Sequence, residues 1–333
     1  MPCTMYPAPP SPRRGGVAMA TVVTILIAAI IGYLVYRGSF YRDFDKPYST
    51  QNIEQIDPAL IQYTQTAAFP TGMERPMGMA LGEDGLIHVA GDRSIRSLNS
   101  EGATVASIEL AGDPTALARD GDALLVGLGA RVVRVDPASG TSTDVITLPG
   151  EAFVGSIAMV GGRMYLADAK NRVVLQVADG AVTGNVPKGD SGEHFVLPER
   201  QFPIAAGPGA TLYVVNPGKR RIEAYTPDGQ LANLIGKQAD NIHGFCGCHN
   251  PVALAVDGET ILTGEKGFSR VKFIDLRGEL INVVAGPDLL RKRDAVRAVA
   301  TDGERVYVLD SNTHAVRVFA RKQTASGEQA QEL

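Results

Sequence analysis

Six times between residues 76 and 319 the chain returns to one unit, and this internal repetition limits the possible folds more than any other feature. Each unit opens with a short strand of small and apolar residues, turns, and continues as an apolar strand that ends on a polar residue. It then turns again into a third strand. The openings are PMGMA (Pro76 to Ala80), PTALA (Pro114 to Ala118), GSIAM (Gly155 to Met159), PIAAG (Pro203 to Gly207), PVALA (Pro251 to Ala255) and VRAVA (Val296 to Ala300). The second strands follow as LIHVA from Leu86, ALLVG from Ala123, RMYLAD from Arg163, TLYVVN from Thr211, TILTGE from Thr260 and RVYVLD from Arg305. With Ala80, Ala118, Ala158, Gly207, Ala255 and Ala300 taken as equivalent, the spacing is 38 to 49 residues, room for four strands per unit. One such sheet cannot bury both its faces, whereas six stacked in a ring can. The expected fold is therefore all-β, a six-bladed β-propeller. Leu60 to Phe69 precedes the first unit and is expected to supply the outer strand of the last one, closing the ring without an open edge.

Composition agrees with many short strands and tight turns: 37 Gly, 20 Pro and no Trp, with 44% hydrophobic residues to build a core. The net charge of -4, with Lys and Arg scattered along the chain, gives no basic footprint and argues against a nucleic-acid partner. Three cysteines, Cys3, Cys246 and Cys248, are too few for a disulfide framework.

Ahead of the repeats, Val17 to Tyr36 read VAMATVVTILIAAIIGYLVY, an uncharged run whose length as a helix matches a bilayer core of roughly 30 Å. Tyr33, Tyr36 and Tyr41 suit an interfacial belt. Arg13 and Arg14 would also suit a cleaved signal, but the run is long for one and no small-residue cleavage site follows. The expected organisation is a cytoplasmic segment 1–16, a single transmembrane helix 17–36, a juxtamembrane linker 37–58, a propeller 59–320 and a disordered tail 321–333. Positive charges flank the helix on both sides, so charge counting leaves orientation open. A short N-terminus before a large globular part suits a signal-anchor in the cell inner membrane, with the propeller periplasmic or extracellular.

MYLADAKNRVV (Met164 to Val174) and VYVLDSNTHAVRVF (Val306 to Phe319) carry the clearest copies of a recurring pattern, and with the openings they resemble the NHL-repeat family over Thr71 to Phe319. The resemblance implies a propeller and leaves function open, because the architecture hosts binders, scaffolds and enzymes. FCGCHNPVALAVDGETILTGEKGFSRVKF also resembles a bacterial, membrane-anchored subgroup with a C-G-C-C-N-P tract, His249 standing where that subgroup has Cys.

The fifth unit departs from the others. In HGFCGCHNP, Cys246, Cys248, His249 and His243 gather two thiols and two imidazoles, and Glu265 in TGEKGFSR is expected on the same face. Such ligands suit a transition metal, Zn, Cu or Fe. Redox-active or disulfide-bonded cysteines, and plain packing, are the competing readings. Asp168, Asn216, Glu265 and Asp310 hold equivalent positions, with Arg172, Arg221 and Arg270 following three of them. They are either turn caps paired with arginine or a polar ring around a ligand pocket. His88 and His314 read as packing or surface residues, and His194, in an insertion before the fourth unit, as a further ligand candidate.

No nucleophile elbow, zincin helix or phosphate-binding glycine loop occurs at a plausible place. The function expected is thus a membrane-tethered binding or assembly module, with a protein partner on its top face and a metal in the Cys-x-Cys-His loop. The alternatives are a metal-dependent propeller enzyme, lyase or lactonase-like, and an electron-transfer accessory of a membrane redox complex.

Overall fold

The structure is a computed structural model that describes residues 24–33, 56–189, 195–247, 249–290 and 294–323. Residues 24–33 form a helix with exposed side chains, and no described helix is long and apolar enough to cross a membrane. Most of the expected span 17–36, the linker and the tail lie outside the described residues.

From residue 56 onward the chain folds into six four-stranded antiparallel sheets. Blade one holds β2 (Pro76–Leu81), β3 (Ile87–Gly91), β4 (Ser94–Leu98) and β5 (Thr104–Glu109); blade two holds β6 (Ala116–Asp120), β7 (Ala123–Leu128), β8 (Arg131–Val135) and β9 (Ser142–Thr147). Blade three comprises β10 (Val154–Val160), β11 (Arg163–Asp168), β12 (Val173–Ala178) and β13 (Ala181–Val186). Blade four comprises β14 (Ile204–Gly207), β15 (Thr211–Asn216), β16 (Arg221–Tyr225) and β17 (Leu231–Ile235). Blade five is β18 (Pro251–Asp257), β19 (Thr260–Glu265), β20 (Arg270–Asp275) and β21 (Leu280–Ala285).

Blade six takes three strands from the C-terminal end, β22 (Val296–Thr301), β23 (Arg305–Asp310) and β24 (Ala315–Arg321), and its fourth from the N-terminal side, β1 (Tyr63–Pro70). Tyr63 lies opposite Arg321 and Pro70 opposite Ala315, so the ring closes with the strand anticipated from Leu60 to Phe69. Gln62 N donates to Val283 O at 3.1 Å, a stitch from the closing segment to blade five.

Side-chain alternation explains why six blades are needed. Along each second strand successive residues face opposite neighbours: Val89 packs with Leu309 and Val316 of blade six, and Ala90 with Leu124 and Val126 of blade two. The core is accordingly six apolar clusters, one in each gap between blades. Inner strands carry small residues because they crowd around the axis. A Cβ added to Gly78 would sit 3.0 Å from Leu117 Cβ of the next blade.

Strand direction alternates within a blade, so the turns after each second strand share one end of the ring with the segments leading into each first strand. We call this end the top. Turns after first and third strands lie at the bottom.

Candidate functional site

Blade five presents its polar residues on one face. Thr263 pairs with Lys272 and Glu265 with Arg270, and all four share the face that carries Ile261 and Ile274, which is turned to blade four. Glu265, Arg270 and Lys272 are 0% exposed. Arg270 Nε lies 2.5 Å from Glu265 Oε2, and Lys272 Nζ 2.8 Å from Oε1. One carboxylate thus faces two cations, and backbone carbonyls of the loop before β18 accept from both. Arg270 Nη2 donates to Asn241 O (3.2 Å) and Gly244 O (3.3 Å), and Lys272 Nζ to Ile242 O (2.8 Å) and Gly244 O (3.0 Å). Lys272 also lies 4.7 Å from the Phe245 ring centroid. Burial pushes the Lys272 ammonium below the usual lysine range; the attraction of Glu265 opposes that shift.

Cys246 Sγ and His249 Nδ1 are 2.9 Å apart, both buried, and the imidazole stacks on Phe268 with centroids 5.5 Å apart. His243 is exposed, its backbone N–H held by Asn241 Oδ1 at 3.0 Å. Cys248 and His194 lie outside the described residues. Of the proposed ligand set, the structure therefore pairs Cys246 with His249 and commits Glu265 to Arg270 and Lys272. Among the described residues no group of three or more His, Cys, Asp or Glu is placed to hold a metal.

Asp168, Asn216 and Asp310 are buried at the top turns, and none of the ring candidates lines the axial cavity. Asp168 Oδ1 accepts from the N–H groups of Phe153 (3.0 Å), Lys170 (3.0 Å) and Asn171 (3.2 Å), capping its turn and tying down the segment that leads into β10. Asn216 ties down the segment leading into blade four without capping its own turn, accepting from Val196 N at 3.1 Å and donating to Glu223 Oε1 at 3.0 Å; Arg221 Nε reaches that oxygen at 2.7 Å. Asp310 receives Arg317 Nε at 2.7 Å and the N–H groups of Asn312 and Thr313. Arg172 stands apart. The residue opposite Asp168 is Val173, whereas Asn216 faces Arg221 and Glu265 faces Arg270. Arg172 instead takes a left-handed turn position, φ 57°, with its side chain exposed.

On the axis, the six inner strands enclose a cavity of about 350 Å³. Among the described residues the only charged ones in its lining are Arg200 and Arg297, joined by Gln201, Thr115 and Ser156 among apolar and glycine positions. β-Bulges put some of these residues there. In blades one, three, five and six the first strand shifts register after its opening residue, and the extra residues, Met77, Gly155, Val252 and Arg297, all line the cavity. Arg200 and Gln201 come from the segment leading into blade four, where Arg200 lies over the Phe153 ring at 5.0 Å. Gln201 Oε1 is buried without a hydrogen-bond partner in the protein. Sequence reasoning missed these three residues, although a signal was present: the second residue of VRAVA is an arginine where PMGMA, PIAAG and PVALA have Met, Ile and Val.

No protein-family model matches the chain, and no curated protein matches it either. Solved structures do. A virginiamycin B lyase from Staphylococcus aureus superposes with a TM-score of 0.54 at 12% identity, over 78% of this chain and 100% of that one. A streptogramin B lyase gives 0.55 at 14%, over 80% and 100%. A structural-genomics protein of unknown function from Bacteroides thetaiotaomicron gives 0.55 at 16%, over 78% and 72%. The likeness is one of fold. It agrees with the six-bladed ring counted from the repeats.

Proposed function

We propose that this chain is a membrane-tethered binding propeller whose axial cavity takes a small organic anion, such as a carboxylate or phosphate ester. The observation that carries this reading is the cavity lining, where the only charged groups among the described residues are two guanidinium cations. Arginine offers forked donors that match carboxylate and phosphate oxygens. Gln201 and Ser156 add polar groups that orient a ligand, and about 350 Å³ suits a small molecule. The apolar run 17–36 supports the tether, and the NHL-like repeats support a propeller scaffold without fixing any one chemistry.

A lyase reading, suggested by the names of the fold neighbours, asks for a proton acceptor and a proton donor at the reacting atoms. Among the described residues the lining supplies no Asp, Glu, His, Lys, Cys or Tyr. Binding without bond-making suits it better.

Calorimetric titration of the detergent-solubilised full chain with citrate and with inorganic phosphate tests the proposal. Each lost charge-assisted contact is worth about 1.5–3 kcal/mol, so Arg200→Ala and Arg297→Ala should each weaken binding by roughly tenfold or more. Equal affinity in the double variant would refute the reading.

A further inference from the structure

A second cavity, of about 390 Å³, opens at the bottom of the ring between blades one and two, away from the top-face residues described above. Its lining reverses the charge of the axial cavity: Glu83, Asp84, Asp122 and Asp136 stand against a single cation, Arg119, which pairs with Glu83 at 2.9 Å. Carboxylates at loop tips alone define no site. The residue beneath them does.

His88 belongs to β3, is 2% exposed, and lines this cavity. Its Nδ1 is 2.9 Å from Ser97 Oγ on the neighbouring strand, while its Nε2 meets no hydrogen-bonding group of the protein and faces the cavity beside Asp84. Gly82 keeps that approach open. A Cβ there would run into Asp84 Oδ1 and stand 2.9 Å from His88 Nε2.

The origin of the space is visible in the repeats. His88 pairs with Ala80, and the corresponding partners of Ala158, Ala205 and Ala300 in blades three, four and six are Tyr165, Tyr213 and Tyr307. The Tyr307 hydroxyl reaches Asp302 Oδ2 at 2.9 Å and closes the bottom of its own blade. An imidazole is shorter than a phenol and leaves that room unfilled in blade one.

We propose that this cavity binds an organic ammonium or guanidinium ligand, held by the carboxylate of Asp84 beside the His88 imidazole. Burial depresses the His88 imidazole below its usual range against the opposing pull of Asp84, which leaves a neutral ring. Whichever ring nitrogen carries the proton, the Asp84 carboxylate beside it can only accept, so the ligand must bring a donor. The charges around it choose a cationic one. Asp136 is fixed as an anion, its carboxyl held low by the Ser139 hydroxyl and by the N–H groups of Ala138 and Ser139. Asp122 adds a further carboxylate to the lining, and Arg119 is occupied by Glu83. The volume suits a molecule of several heavy atoms rather than a bare ion.

The test is calorimetric titration of the detergent-solubilised full chain with agmatine and with 1,4-diaminobutane, and separately with zinc chloride. Binding of an amine is expected, weakened by about tenfold or more in Asp84→Asn, Gly82→Ala and His88→Tyr. Asp84→Asn keeps the acceptor for Leu86 N and so retains the loop, and His88→Tyr installs the residue that three other blades carry. Unchanged thermal unfolding in these variants separates loss of the site from loss of the fold. Amine binding that is absent at millimolar concentration, or equal in the wild type and all three variants, would overturn the proposal. So would saturable binding of zinc alone.

Discussion

Glu265 is the residue on which blade five depends most. Its counterparts in blades three and six, Asp168 and Asp310, are as buried but receive turn N–H groups, whereas Glu265 is enclosed with two cations. A buried ion pair is costly to form and costlier to break, because the partner left behind keeps its charge without compensation. Glu265→Gln should therefore destabilise the propeller by about 3–5 kcal/mol in urea unfolding, more than a turn cap is worth. Replacing all three residues with apolar ones of similar size should cost much less, and a comparable loss would show that the carboxylate matters for some other reason. In blade four the acid has moved to Glu223 on the third strand, where Asn216, Arg221 and Tyr225 satisfy it, so the two blades solve the same burial problem with charges exchanged.

At the scale of elements, the loop 237–250 is held by what lies under it. Three of its carbonyls accept from Arg270 and Lys272, and Phe245 plugs the gap between blades four and five. Lys272→Met should leave the β-sheet intact while loosening this loop, which trypsin would report as faster cleavage after Lys237; unchanged cleavage would contradict the pinning. The same loop marks the limit of what could be read from the sequence. Repeats, blade count and the closing strand were legible because alternation and turn spacing are local, periodic signals. The Cys246 and His249 pairing follows from residues three apart. What was not legible is direction: whether Glu265 points to the axis or into the gap between blades depends on register, and Arg172 lies one position short of the alignment that puts Arg221 and Arg270 opposite their partners. The cavity residues escaped for a related reason. A bulge adds one residue to one strand, and nothing in PMGMA or VRAVA announces it, yet that residue decides which side chains reach the axis.

For the molecule as a whole, stability rests on a ring that is completed by its two ends. Without β1 the edge of β24 is left with unpaired N–H and C=O groups, a template for association between copies. A chain starting at residue 71 should therefore aggregate or elute as oligomers in size-exclusion chromatography, whereas one starting at residue 56 should behave as the full-length propeller does. The pairing of Tyr63 with Arg321 has a mechanical side as well. Because β1 begins at the same end of the ladder where β24 finishes, a pull on the segment ahead of Tyr63 does not shear the closing strand. It peels it, breaking first the Gln62 contacts with Val283 and Lys322 and then one residue pair at a time from Tyr63 and Arg321. Tension on that segment would be felt first at the seam, and the ring would open there like a zip.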